Sequence, residues 1–431
     1  MPNKKRALSV FAVFLVSVVF GGFFLYKCNF IEIEKPVEKQ VNPVFKSANY
    51  TTTTVAKNSD FTSTSDAVLE KPEITEEKKA VKAAALKRAD VAKGVYINGY
   101  AAAAKTSTVR ENIKNLLSET ELNAIVIDVK EADGPYMPVS MKKFIEELHR
   151  DNIWVIARIC VFRDSSLTEE NPEWYLKYNS TTSATTSEFW KDSGGGYWLD
   201  PANPDVQNYI INFSKKVIDF GFDELQFDYV RFPSDGQIRA IVYPFYNSEE
   251  KDKFGVMKDF FSKISESLRS YSHSTILSVD LFGYIATQYQ SGEIGQRVSD
   301  AADIFDYISF MLYPSHFYGG FSIPGDADRQ LPAVYFPYDA TDTERVASSH
   351  PYEVIFRSII FASDYLAKLK SQTKIRPWLQ DFNINPDTNR GIYYDAEKVK
   401  AQIQAAEDAG AAGWLLWNAS NVYTKAALTP E

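Results

Sequence analysis

The sequence predicts a (β/α)8 TIM barrel with long βα loops, preceded by an N-terminal transmembrane helix and a disordered tether. Three observations predict it. From Gly94 onward, apolar strand-like runs alternate eight times with helical periodicity, the pattern of βα units on a parallel sheet. Those repeats occupy about 340 residues, enough for a fold that typically needs roughly 250 before insertions. A 20-residue uncharged run lies near the start of the chain, ahead of a polar stretch that contains no Gly and no Trp. A doubly wound open sheet is the alternative, but no Gly-rich phosphate turn follows the first strand.

The eight strands begin with residues 95–98, 124–128, 154–158 and 224–228. They continue with 276–280, 307–311, 375–379 and 413–417. Helical periodicity covers 108–118, 142–150, 206–220, 254–270, 352–370 and 397–409, with a short helix expected near 294–302. Asn203-Pro204 and Asp395 are N-terminal signals, and Gly221 and Gly410 are stops. Surplus length follows strands three, four and six, at 162–201, 233–252 and 314–350. Loops after barrel strands face the C-terminal mouth, where active sites are built. These loops carry Trp174, Trp190, Trp198, Tyr243, Tyr246, Phe317, Tyr318, Tyr335 and Phe336. Aromatics on one face suit a flat, partly apolar ligand such as a sugar ring; alternatively they pin long loops to the barrel.

Charge divides the 431 residues into three parts. Residues 1–30 carry +4 and residues 31–93 carry +1, so the net charge of -9 leaves -14 on residues 94–431. The uncharged run Ala7–Tyr26 can cross a hydrocarbon core of roughly 30 Å as a helix. The basic residues ahead of it favour a cytoplasmic N-terminus, with the barrel outside the cytoplasm. Secretion after signal cleavage is the alternative, and Cys28 lacks the small preceding residues that lipidation needs. Residues 31–93, rich in Thr, Ser, Lys and Glu, read as a polar linker that turns helical near 75–90. The acidic domain argues against a nucleic-acid partner.

Four predicted strands finish in or just before Asp: Asp128, Asp228, Asp280 and Asp381. Four carboxylates converging on one mouth suit glycoside hydrolysis, in which one carboxyl protonates the leaving oxygen and another attacks or activates water. Arg158 and Arg231 could hold carboxylates in the charged form. Tyr96, Asn98, Gln226 and Asn418 also stand near strand ends and could hydrogen-bond hydroxyls. No metal site and no cofactor is expected. The four His form no ligand pair, and Asp128 with Glu131 and Asp133 is the sole cation alternative. Gly194-Gly195-Gly196 has no following Lys and helix, so it is a bend rather than a phosphate loop.

The run Gly221-Phe222-Asp223-Glu224-Leu225-Gln226-Phe227-Asp228-Tyr229-Val230-Arg231-Phe232-Pro233 resembles the strand-four signature of a family of glycoside-hydrolase-like barrels. That family was first catalogued as a domain of unknown function and is related to the α-amylase superfamily. Supporting matches are Gly94-Val95-Tyr96, Ile127-Asp128-Val129-Lys130, Trp198-Leu199-Asp200-Pro201, Ser278-Val279-Asp280, Met311-Leu312-Tyr313-Pro314 and Trp378-Leu379-Gln380-Asp381-Phe382. The resemblance implies Asp228 as nucleophile or base, Asp280 as acid and Asp381 as a transition-state stabiliser. Three departures stand out: Gln226 where an Arg is usual, Asp280 rather than Glu, and no His before Asp381.

The expected function is therefore an anchored, extracytoplasmic glycosidase acting on a polysaccharide or oligosaccharide. Asp228, Asp280 and Asp381 are its expected catalytic residues. Asp128, Tyr96, Asn98, Arg158, Trp198, Arg231, Tyr313, Trp378, Trp417 and Asn418 are its expected substrate contacts. A non-catalytic glycan-binding barrel is the alternative, and the domain's -14 charge disfavours polyanions at long range.

Overall fold

Alternating side chains on eight parallel strands generate two cores, one inside the sheet and one outside it. The computed structural model describes residues 75–179, 188–338 and 342–430. The strands are β1 (Lys93–Ile97), β2 (Ala124–Glu131), β3 (Trp154–Cys160), β4 (Glu224–Asp228), β5 (Ile276–Phe282), β6 (Tyr307–Leu312), β7 (Trp378–Gln380) and β8 (Trp414–Trp417). Each pairs in parallel with the next, and β8 returns to β1 with Lys93 opposite Trp414, closing the barrel. The strand expected at 375–379 is split: Lys374–Ile375 and Trp378–Gln380 both pair with β6 in one register. Pro377 sits in the gap, where a residue without an N–H cannot donate to a ladder.

The principal helices are α1 (Glu76–Ala89), α2 (Thr108–Glu119), α3 (Val139–Arg150), α4 (Pro204–Phe220), α5 (Lys253–Tyr271), α6 (Pro351–Lys368) and α7 (Ala396–Asp408). The cap signals act as their chemistry requires. Asn203 accepts from the Asp205 N–H ahead of Pro204, and Gly221 ends α4 at φ 108°. Between β5 and β6 only two single helical turns form, Ile285–Gln288 and Val298–Ala301. Along β2, Ile125, Ile127 and Val129 pack toward the helices, whereas Ala124 and Val126 join Tyr96, Trp154, Ile156, Tyr307, Trp378 and Leu415 in the inner core.

The N-terminal end of the barrel is sealed by α1. Ala89 and Ala92 are fully buried, and Leu86 packs on the inner core. Tyr307 donates from its hydroxyl to Asp90 Oδ1 (2.6 Å), Lys374 pairs with Asp90 (2.7 Å), and Arg376 donates to the Ala89 carbonyl (3.2 Å). Residues 75–93, which the sequence assigns to the linker, therefore form part of the packed structure. Above them Glu224 pairs with Arg376, both fully buried. Glu224 also accepts from Trp154 Nε1 (3.0 Å) and Ser278 Oγ (2.5 Å), so this charge is neutralised and hydrogen-bonded as a buried carboxylate must be.

The transmembrane helix expected over residues 7–26, Cys28 and the tether up to residue 74 lie outside the described residues. Among the described residues, no helix is long and apolar enough to cross a membrane.

Candidate active site

At the opposite end, one guanidinium organises the strand ends. Arg158, inward-facing on β3, donates from Nη1 to Asp128 Oδ1 and Glu131 Oε1 (2.6 Å each). From Nη2 (2.6 Å) and Nε (3.1 Å) it donates to Asp228 Oδ2. The barrel register dictates this, because Arg158 lies opposite Asp128 on one side and Gln226 on the other. Burial works against the Arg158 charge, but the carboxylates of Asp128, Asp228 and Glu131 more than offset it and hold its pKa above the usual range.

Asp228 accepts a third bond, at Oδ1, from the N–H of Tyr229 (2.6 Å). Tyr229 has φ 54°, a left-handed conformation uncommon for a residue with a side chain, and the turn begins there. Asp280 stands on the neighbouring strand. The β4–β5 register sets Phe227 against Val279, so Asp228 and Asp280 follow side by side on strands about 4.8 Å apart. Asp280 Oδ1 accepts from Trp378 Nε1 (3.0 Å), while Oδ2 has no partner among the described residues. Burial and then the Asp228 charge push the Asp280 pKa well above the ordinary carboxyl range, against the pull of Arg158. Asp128 is raised likewise, first by burial, with Arg158 opposing and Glu131 adding to the rise.

The mouth above these acids is aromatic. Tyr96 donates from its hydroxyl to Asp128, and its ring lies 4.1 Å from that of the half-buried Trp417. The Tyr313 hydroxyl has no partner among the described residues. Burial and then the charges of Asp280 and Asp228 raise its pKa. His316, exposed on the loop after β6, meets the rings of Tyr313, Phe382 and Tyr318 at 5.3–5.7 Å.

Several expected contacts are differently employed. Asp381 accepts from the Thr424 N–H (2.8 Å) and hydroxyl (2.7 Å), so both oxygens tie down the C-terminal segment. Asn98 caps the short helix Gly99–Ala103 and donates to Asn421 (2.6 Å); Asn418 donates to the Asp381 carbonyl and accepts from the Ser420 N–H (2.8 Å). Trp378 is buried beneath the mouth, where it holds Asp280. Trp198 is also buried, donating to Asp192 Oδ2 (2.9 Å), and Trp190 donates to the Gln237 carbonyl (3.0 Å), so these two indoles pin loops. Among the described residues Arg231 pairs with no carboxylate, and Arg158 is the arginine that binds Asp128 and Asp228. The cation alternative fails on geometry, because Arg158 Nη1 lies between Asp128 and Glu131, and Asp133 accepts from the Tyr100 hydroxyl instead (2.7 Å).

Glu131 and His316 were not among the expected contacts. In the sequence Glu131 stands out only as a member of the cation alternative with Asp128 and Asp133, and His316 as a polar residue inside an aromatic loop.

A family model described as "putative glycosyl hydrolase domain" matches residues 135–423. The chain belongs to that family. Its model spans β3 through β8, including Arg158, Asp228, Asp280 and Asp381. No curated protein matches the chain. Among solved structures it is similar to a hypothetical protein from Ruminiclostridium thermocellum ATCC 27405, with 28% identity over 43% of this chain and 96% of that one (TM-score 0.35). It is also similar to the α-galactosidase TtGalA from Thermus thermophilus, with 13% identity over 81% and 67% of the two chains (TM-score 0.43). An α-amylase from Lactobacillus plantarum shares 13% identity over 78% and 72% (TM-score 0.43).

Proposed function

We propose that this glycosyl hydrolase domain cleaves a glycan by paired-carboxylate chemistry, with Asp280 as acid and Asp228 as nucleophile. The observation that carries this reading is the asymmetry of two neighbouring acids. Asp228 receives three N–H donors, two of them from a guanidinium, whereas Asp280 is pushed toward its protonated form and keeps one oxygen free. Neighbouring carboxyls in such different surroundings, one held by three donors and the other raised toward its acid form, suit a division into nucleophile and acid.

Asp280 Oδ2 would protonate the glycosidic oxygen while Asp228 attacks the anomeric carbon. Water then releases the glycosyl group, with Asp280 returning as base. Adjacent strands favour the short carboxyl separation of retaining enzymes, roughly 5–5.5 Å. Arg158 orients Asp228, Tyr96 and Glu131 orient Asp128, and Tyr313, Trp417 and His316 supply hydroxyl contacts and ring surface. Asp381 secures the segment around Thr424 that borders the mouth. Residues 7–26 would hold the chain at a membrane with the barrel outside the cytoplasm.

Screening the chain against cell-wall and capsular polysaccharides, with product anomers followed by NMR, tests the reading. Retained configuration that is lost in Asp228→Asn supports it. Binding without turnover across the panel would make the barrel a glycan-binding protein instead.

A further inference from the structure

The buried arginines differ in one respect. Arg110 pairs with Glu147 (2.5 Å), Arg158 with Asp128 and Asp228 (2.6 Å each), Arg357 with Glu353 (3.7 Å), and Arg376 with Glu224. Arg231 is only 5% exposed, yet among the described residues it has no carboxylate partner. Its Nη1 donates to the Phe232 carbonyl (3.1 Å). Its guanidinium carbon lies 4.5 Å from the ring centre of Phe282, 4.9 Å from Trp198 and 5.3 Å from Tyr229.

Taking a cation out of water without a counter-charge is costly, and three ring faces offset part of that cost. Rings satisfy the charge but not the in-plane donors. A guanidinium has five N–H groups, and one acceptor is accounted for. Nε and Nη2 are not among the buried atoms left without a partner, so they reach accessible space. The place is specific: Arg231 follows Asp228 by three residues, and Phe282 follows Asp280 by two. The side chain thus stands where β4 and β5 open into the mouth, close enough for the Asp228 charge to act on it. Asp228 is itself bound by Arg158, which lowers its repulsion toward a second anion.

We propose that Arg231 receives the carboxylate of a uronic-acid sugar seated against Asp228 and Asp280, making the substrate a uronate-containing glycan. A planar fork of donors matches a carboxylate at two points, which a neutral hydroxymethyl group cannot reproduce. The placement of the sugar rests on the glycosidase reading. The net charge of -14 on residues 94–431 opposes polyanions only at long range, and at 0.15 M salt the screening length is about 8 Å, leaving the contact at Arg231 effective.

The test reads binding, so it fails separately from hydrolysis. Calorimetry at 0.15 M salt compares glucuronic, galacturonic and mannuronic acid tetramers with their carboxyl-reduced counterparts on the intact chain. At least one uronate should bind tenfold or more tighter than its neutral partner. Arg231→Met, which keeps the apolar stem, should abolish that preference while leaving the neutral affinity within about twofold; Arg231→Lys should restore part of it. Equal affinity within all three pairs on the unaltered chain overturns the proposal, whether or not the variants fold. So does a preference that survives Arg231→Met. Uronate preference without turnover would leave the proposal standing and sink the hydrolytic reading.

Discussion

Arg158 grips Asp228 twice, Nη2 at 2.6 Å and Nε at 3.1 Å from the same oxygen, although the two residues sit on different strands. Two residues before Asp228, on its own strand, the chain has the neutral Gln226. Gln226 lies one layer deeper and donates to Ser309 Oγ (3.1 Å). The neighbouring strand thus supplies the charge that its own strand lacks.

Arg158→Met should therefore strand three carboxylates. Removing one partner of a buried ion pair costs about 3–5 kcal/mol. Urea denaturation should register a loss in that range, together with loss of glycan turnover. A variant within 1 kcal/mol of the parent would mean that the carboxylates are solvated or protonated without Arg158.

Asp280→Asn separates chemistry from stability. The amide oxygen can still accept from Trp378, so the fold persists while turnover is lost. Because burial raises the Asp280 pKa in the folded state, its ionisation costs stability above the unfolded value of roughly 3.9, increasingly so as pH rises toward the folded value. The variant should therefore melt higher than the parent at pH 7, with the gain shrinking toward pH 4. In the parent, activity should fall on the alkaline side as Asp280 loses its proton. Melting curves at the two pH values and a pH–rate profile check both signs.

Much of this was legible in the sequence because the signals were local. All eight strands announce themselves by apolar runs, and Asn203-Pro204 and Gly221 mark a helix by cap chemistry. Asp128, Asp228 and Asp280 converge because each takes an inward-facing position toward the mouth end of its strand. What stayed hidden depends on where a side chain spends its hydrogen bonds. Asp381, Asn98 and Asn418 occupy the expected positions, but Thr424, Asn421 and Ser420, brought in by the C-terminal segment, consume them. Trp198 and Trp378 look like a sugar platform and an open mouth residue; their indole N–H groups each need a buried acceptor, and Asp192 and Asp280 provide it. The split of β7 follows from Pro377, readable in principle from its missing donor.

Asp381→Ala should behave as a structural lesion. With both carboxyl oxygens bound to Thr424, truncation should raise hydrogen exchange across residues 418–424, while any residual turnover keeps the pH profile of the parent. A loss of turnover as deep as that of Asp228→Asn, with exchange unchanged, would return Asp381 to the chemistry.

The packed unit begins before β1, and truncation measures by how much. A chain starting at residue 75 keeps α1, with Asp90 beneath Tyr307 and Lys374 and the Ala89 carbonyl on Arg376. A chain starting at residue 92 opens the floor of the barrel to water. That leaves the buried Glu224–Arg376 pair with one fewer acceptor and a route for solvent. Surface ion pairs such as Lys374–Asp90 contribute about 0–1 kcal/mol, so most of the loss should come from burial of Leu86 and Ala89 and from the exposed charge pair. The first truncation should match the full chain in urea within error, and the second should fall by 2 kcal/mol or more. Equal midpoints for the two would mean that α1 rests against the barrel without sealing it.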